Sequence, residues 1–471
     1  MHGLLASSIG VTCAAALALP PAPHPGHPAH LGRPGLPDLP GSTQSLPLAP
    51  LSRARGPAAD QGLPRRDVRH FSLVGVIWDD PATELHGSVQ VRTRAAGTGT
   101  WSGWQDVETH NADHGADPDT AEGTSGRVRG ATTPLWVGDS DGVEVRVHAD
   151  DDTDRSAGTR APRAVTSAAP LPSGLRLELV DPGADDPAER AGAAPPRHVP
   201  VHAPRTGPLR NPDDQTALST EAAAASATNT DLLRVPLGAT DIPALSPQET
   251  EEELSSLGEG ELTEQQRAKP YIGPRPHIVT RRGWGADESL RERTFVYTKK
   301  VKAAFVHHTA SGNAYTCSQS PSLIRGIYRY HVRSMGWRDI GYNFVVDKCG
   351  TIYEGRAGGV AKPVLGAHTL GFNTNSMGIA VLGTFGSSKP SSSAVKGIAR
   401  LTAWKLGLFG ANPNGKTYLK SGGGNLYAKG RNVRLHVISG HRDGFATECP
   451  GRKLYGKLGS ARSTAARYQG R

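Results

Sequence analysis

The chain has 471 residues, enough for two or three domains, yet 37 prolines, 57 glycines and a hydrophobic share of only 37% exclude a packed core along its whole length. The net charge of +9 hides an asymmetry: residues 281–471 carry 30 Lys/Arg against 8 Asp/Glu, and the remainder is acidic. A basic C-terminal half suits a polyanion (nucleic acid, an anionic membrane or an anionic cell wall) or is simply a solvated surface, and the lack of an RNP-like aromatic string or zinc-finger spacing argues against nucleic acid.

The first element is an apolar, small-residue run from Gly3 to Leu19 with a small-x-small site at Ala16-Leu17-Ala18. It reads as an export signal over residues 1–22, and implies a secreted, extracellular protein. No other segment approaches the ~18 apolar residues needed to span a bilayer. Residues 23–67 are rich in Pro, Gly, His and Leu without periodicity and are expected to be a disordered lead. Short apolar or alternating runs follow over 68–182, among them Phe71–Val76, Ser88–Arg92, Leu135–Val137, Val143–Val147 and Leu175–Val180. Their spacing predicts a small β-sandwich. Trp78, Trp101, Trp104 and Trp136 lie in or beside these strands, where they pack the core or turns, or stack on sugars. Residues 183–275, rich in Pro, Ala, Thr and acidic residues, are expected to form a disordered linker with one loose helix.

The last domain is placed at 276–471. Lys302–Thr309 reads as a buried strand, and Ser320-Pro321 as a helix start with Ile324, Ile327, Tyr328, His331 and Val332 at helical spacing until Gly336. Tyr342–Asp347 and Thr351–Glu354 form a hairpin around Lys348-Cys349-Gly350. Met377–Leu382 and Val433–Ile438 are strands, and Ala394–Leu408 and Lys453–Leu458 are helices. The fold class is therefore α/β, a mixed sheet flanked by helices, preceded by the β-sandwich-like domain and disordered linkers.

Two segments carry chemistry. Ala303–Val306 ends in His307-His308-Thr309, and Gly440-His441-Arg442-Asp443 is followed by Thr447-Glu448-Cys449-Pro450-Gly451. Two imidazoles and a thiol can hold Zn²⁺ with the fourth position left to water, the arrangement of a catalytic rather than a structural site. Neighbours on a strand face opposite ways, so only one of His307 and His308 can enter the site, and geometry alone does not choose. With Cys13 in the signal and Cys449 at the metal, Cys317 and Cys349 remain to pair as a disulfide in an oxidising exterior, or to stay as two buried thiols.

Residues 278–460 resemble the peptidoglycan recognition protein and type-2 N-acetylmuramoyl-L-alanine amidase family. The blocks that carry the resemblance are Arg281–Ala286, His307-His308-Thr309, Gly336–Phe344, Gly350–Arg356, Gly366-Ala367-His368, Gly440–Asp443 and Cys449-Pro450-Gly451. Residues 70–180 look like the β-rich segment that precedes this domain in actinobacterial members. The resemblance implies that His307, His441 and Cys449 bind zinc and that Tyr342 and Thr447 are catalytic. It also implies that His368, Arg356, Asn373 and Arg442 line a muropeptide groove. The expected activity is hydrolysis of the amide between the lactyl group of N-acetylmuramic acid and L-alanine, by a monomer that meets peptidoglycan and anionic wall polymers. The alternative is a peptidoglycan-binding protein without turnover. Relatives that only bind usually lack the cysteine, which this chain has. Asp443 and Glu354 are expected to make supporting contacts.

Overall fold

The computed structural model describes residues 41–51, 60–109, 111–150, 170–183, 218–256 and 270–471. The export signal with Cys13, most of the 23–67 lead and the linker stretches 184–217 and 257–269 lie outside them. No described helix is long and apolar enough to cross a membrane.

The N-terminal domain is built from β1 (Ser42–Pro47), β2 (Ala49–Pro50), β3 (Asp60–Trp78), β4 (Gly87–Ala95), β5 (Gln105–Val107), β6 (Gly130–Ala131), β7 (Leu135–Ala149) and β8 (Arg176–Asp181). All pairings are antiparallel, in the order β1-β8-β3-β7-β4-β5. The strands hydrogen-bond into one sheet. Register shifts between Leu63 and Leu73 break β3 into two halves, the first beside the C-terminal half of β7 and the second beside β8. Leu63, Val89, Val143 and Val145 from one half share a core with Val74, Val76, Leu177 and Leu179 from the other, so the sheet folds over itself in sandwich fashion. Residues 42–50, expected in the disordered lead, are ordered because β1 pairs along all of β8 and β2 pairs with β3. Trp78 and Trp136 are core residues, whereas Trp101 lies under Arg65, and Trp104 packs against Arg92 and Arg146.

Part of the expected linker is also ordered. α1 (Thr220–Leu233) starts at Ser219, whose hydroxyl accepts from Ala222 N–H at 3.1 Å. Asn229 on α1 donates to both carboxylate oxygens of Glu354, at 3.0 and 3.1 Å, and accepts from Val360 N–H at 2.8 Å. β9 (Asp241–Ile242) and α2 (Pro247–Ser256) follow, with Leu254 in the core. Composition alone missed this segment because its burial comes from the C-terminal domain, through contacts such as Ile242 beside Ile278 and Asn229 on Glu354.

The C-terminal domain contains β10 (Ile278–Val279), β11 (Ala303–His308), α3 (Ser320–Arg329), β12 (Phe344–Val346), β13 (Ile352–Glu354), β14 (Ser376–Val381), α4 (Ser392–Gly407), β15 (Lys416–Lys420), β16 (Asn432–His436), β17 (Ile438–Gly440), α5 (Arg452–Tyr455) and α6 (Leu458–Tyr468). Its sheet runs β17-β11-β14-β12-β13-β10-β9, with β11 parallel to both neighbours and β12–β13 antiparallel, the mixed sheet expected. The expected strand Val433–Ile438 is two strands: β16 pairs with β15, and β17 turns in beside β11. Ser320 opens α3, but its hydroxyl donates to Asp347 at 3.0 Å rather than capping the helix. Cys317 and Cys349 form a disulfide that ties the turn before α3 to the β12–β13 turn.

β11 alternates faces. Ala304 and Val306 pack with Ile398, Leu401 and Trp404 of α4, while Ala303 and Phe305 pack with Phe372 and Leu435. On the sheet's other flank α3 places Leu323, Ile324 and Ile327 against Val345 and Tyr353, and also against Leu73, Ile77, Trp136 and Val180 of the N-terminal domain. The apolar run Phe71–Trp78 thus serves two cores: Val74, Val76 and Trp78 face inward, and Leu73 and Ile77 face α3.

Candidate metal centre

β11 and β17 run side by side, Val306 opposite Gly440, so both strands deliver a histidine at the same end. His307 takes the face of Phe305 and turns into the site. His308 takes the other face, where Nδ1 accepts from Phe385 N–H at 3.3 Å. After His441 the chain makes a 3₁₀ turn fixed by Asp443, which accepts from Gly440 N–H at 2.9 Å and from the Tyr455 hydroxyl at 2.6 Å. Arg442 N–H then donates to Cys449 C=O at 3.0 Å and closes the loop, bringing the thiol under His441.

His307, His441 and Cys449 therefore meet, as expected, and a fourth side chain joins them. The ligand atoms of His114, His307, His441 and Cys449 all lie within 4.8 Å of one another, and all four residues are buried. Cys449 Sγ is 3.8 Å from His307 Nδ1 and 3.8 Å from His114 Nε2. Tetrahedral zinc, with bonds of about 2.0 Å to N and 2.3 Å to S, would separate such atoms by about 3.6 Å.

The donor set fits a metal in a second way. Each imidazole has one nitrogen committed to a protein partner: His307 Nε2 to Thr369 Oγ1 at 3.3 Å, His441 Nε2 to the Asp113 carbonyl at 3.2 Å, and His114 Nδ1 to Asp113 Oδ1 at 3.0 Å. Metal-binding histidines are commonly held this way, through their other nitrogen. His441 Nδ1, which faces the cluster, is buried and has no hydrogen-bond partner; Asp113 Oδ2 stands 3.7 Å away. Burial, and then the neighbouring imidazoles, hold His307 well below the ordinary histidine range, and burial takes His441 down to about 3, so both present neutral lone pairs. Burial and the Asp113 carboxylate push the Cys449 thiol up; the nearby Arg442 guanidinium opposes this without reversing it, and a bound divalent metal would stabilise the thiolate directly.

Tyr342 stands beside the cluster, its ring 5.5 Å from that of His307, and burial keeps its hydroxyl protonated. Thr447 Oγ1 accepts from Cys449 N–H at 3.1 Å and lines a cleft of about 490 Å³ with Trp78, Asp113, Arg442 and Phe445. Of the four expected groove residues, only Arg442 faces this cleft. His368 is fully buried, its ring 5.3 Å from that of His307, in a space that a Cβ on Gly378 would fill. Arg356 and Asn373 are covered by the N-terminal domain. Arg356 donates to both carboxylate oxygens of Glu122 (2.8 and 2.9 Å), and Asn373 Nδ2 donates to Asp117 Oδ1 (2.7 Å) and to the Gly115 carbonyl (2.8 Å). Glu354 belongs to a buried network with Asn229 and Arg281, away from the cluster.

Asp113 and His114 were missed because they lie in an aperiodic, turn-rich stretch between β5 and β6. The available signal was a carboxylate directly beside a histidine.

Comparison with known proteins agrees with this architecture. Residues 297–452 match the N-acetylmuramoyl-L-alanine amidase family, and residues 33–170 match the family described as Rv3811 N-terminal galactose-binding domain-like. Peptidoglycan-recognition protein SC2 of Drosophila simulans is 30% identical over 181 residues, 38% of this chain and 84% of the relative. The protein of the same name from Drosophila melanogaster is 29% identical over the same shares. The solved structure of Drosophila PGRP-LB aligns at 24% identity over 39% of this chain and 92% of its own, with a TM-score of 0.31. With two histidines and a cysteine gathered at the ends of β11 and β17, and a relative matched over most of its length, this chain belongs to the peptidoglycan-recognition protein and N-acetylmuramoyl-L-alanine amidase family.

Proposed function

We propose that this chain is a secreted zinc amidase that hydrolyses the amide between the lactyl group of N-acetylmuramic acid and L-alanine in bacterial peptidoglycan. The observation that carries the reading is the cluster of His307, His441 and Cys449, in which each imidazole is oriented by an outer partner and turns its other nitrogen inward. When bound there, zinc supplies a Lewis acid that polarises the scissile carbonyl and makes water acidic enough to attack near neutral pH.

The protein groups divide the remaining work. Thr369 and the Asp113 carbonyl fix the ring orientation of His307 and His441. The protonated Tyr342 hydroxyl donates to the negative charge that develops on the carbonyl oxygen, and the Thr447 hydroxyl, at the mouth of the 490 Å³ cleft, is a second donor. Arg442 on the cleft wall is the muropeptide-binding residue open to substrate; Arg356 and Asn373, covered by Glu122 and Asp117, and the buried His368 are reached only when that cover is removed. The excess of basic residues in the C-terminal half draws the enzyme to anionic wall polymers, through contacts that weaken with salt.

The test is incubation of the full chain with purified peptidoglycan, with and without a chelator, followed by mass spectrometry of the soluble products. Stem peptides with a new amino-terminal L-alanine, lost on chelation, are expected; cleavage elsewhere in the stem would replace this reading with another zinc hydrolase. A second reading, peptidoglycan binding without turnover, is favoured by one observation: His114 stands where water would have to be. Retention of the chain on peptidoglycan with no released peptide, from any form of the protein, would select it.

A further inference from the structure

The β5–β6 connection is anchored on both sides of the metal cluster. Asp113 C=O accepts from Leu370 N–H at 3.0 Å, Asp117 Oδ1 accepts from Gly371 N–H at 2.8 Å as well as from Asn373, and Glu122 accepts from Arg338 N–H at 3.0 Å in addition to its pair with Arg356. Both side chains of the Glu122–Arg356 pair are nearly inaccessible to solvent. Between the anchors, His114 puts Nε2 at the same 3.8 Å from Cys449 Sγ as His307 Nδ1. The ring is aimed by its own neighbour, through the Nδ1 contact with Asp113. Four protein ligands make a closed, structural zinc site, whereas hydrolysis needs the fourth position for water.

We propose that residues 111–122 are a built-in plug, in which His114 is the fourth metal ligand while Asp117 and Glu122 cover Asn373 and Arg356, so that turnover begins only when this segment lifts away. The inference rests on the zinc amidase reading and adds the regulation of that site. The segment is suited to leave: it has no regular secondary structure and lies in the connection between β5 and β6, so it can lift without breaking a strand pairing. The two carboxylates also fill the places a carboxylate-bearing ligand would need, so such a ligand and the plug exclude each other.

Cobalt(II) substituted into the full chain gives a readout independent of activity. In the wild-type protein the visible spectrum should be insensitive to azide, because no coordination position is free. In His114→Ala azide should bind and change the spectrum, and stem-peptide release should rise by about tenfold or more if under a tenth of wild-type molecules are open. Glu122→Lys places like charge against Arg356 and leaves every ligand in place; it should show a smaller azide response and a smaller gain in release at unchanged metal content. It carries the test alone if His114→Ala does not fold.

Equal azide binding by wild type and variants, no azide response in any form, or no cobalt uptake at all would each overturn the plug. Stem-peptide release at one rate in all three proteins would overturn it while leaving the amidase reading intact. Azide binding that appears only in the variants, with no peptide released by any of them, would uphold the plug and remove the amidase reading instead.

Discussion

Tyr330 lies directly on Gly75, across the boundary between the N-terminal sheet and the C-terminal domain. Its hydroxyl donates to the Thr132 carbonyl at 3.1 Å, and a Cβ at residue 75 would collide with the phenol ring and its oxygen. Gly75→Ala should lower the stability of the full chain by about 1–3 kcal/mol through overpacking. In a double-mutant cycle with Tyr330→Phe, which removes the colliding oxygen, the two losses should be less than additive. Strict additivity in chemical unfolding would mean that this contact is looser than described.

Metal content should separate the adjacent histidines. His307→Ala and Cys449→Ala should both lose bound zinc, measured by elemental analysis, and with it the thermal shift that a chelator produces in the wild type. His308→Ala, whose ring faces Phe385 on the opposite side of the strand, should keep its zinc and lose only stability. Zinc loss in His308→Ala alone would reverse the assignment.

Tyr342→Phe removes one hydroxyl beside the cluster and nothing else. The turnover rate should fall by about 10²–10³, the usual effect of deleting one oxyanion donor, with zinc stoichiometry and thermal stability little changed. A drop confined to KM would make Tyr342 a binding rather than a catalytic group.

The buried Glu354 gives the fold a pH dependence. Burial pushes its carboxyl up to about 7, against the opposing pull of Asn229 and Arg281. A group whose pKa is raised by folding stabilises the fold in full below its unfolded value, near 4.5, and that contribution is lost as pH rises through about 7. The loss is on the order of 3 kcal/mol. Urea midpoints of the wild type should therefore fall between pH 4.5 and 7.5 relative to those of Glu354→Gln, and parallel profiles would count against the effect.

Much of the metal centre was legible because strand periodicity and the spacing of a few reactive side chains are local properties. The alternation of Ala303–His308 shows that one histidine must turn away, although periodicity does not say which; family resemblance pointed to His307. His441 and Cys449 were legible together because Pro450-Gly451 marks the loop that returns the thiol. His114 was not, since its role comes from docking a turn of one domain onto another, and no periodicity encodes that. The same reason left α1 as no more than one loose helix in the expected linker, because its anchor, Asn229 on Glu354, is a contact 125 residues apart in sequence. Arg356 and Asn373 were expected to line an open groove; their covering by Glu122 and Asp117 likewise depends on contacts more than two hundred residues apart in sequence.

The stretch Phe71–Trp78 is apolar on both sides, and this bears on any attempt to use the two halves separately. An isolated N-terminal half would leave Leu73, Ile77, Trp136 and Val180 facing water, and an isolated C-terminal half would do the same to Leu323, Ile324 and Ile327. Transplanting the C-terminal half into another protein therefore requires polar replacements along the outer stripe of α3, or the fragment will self-associate.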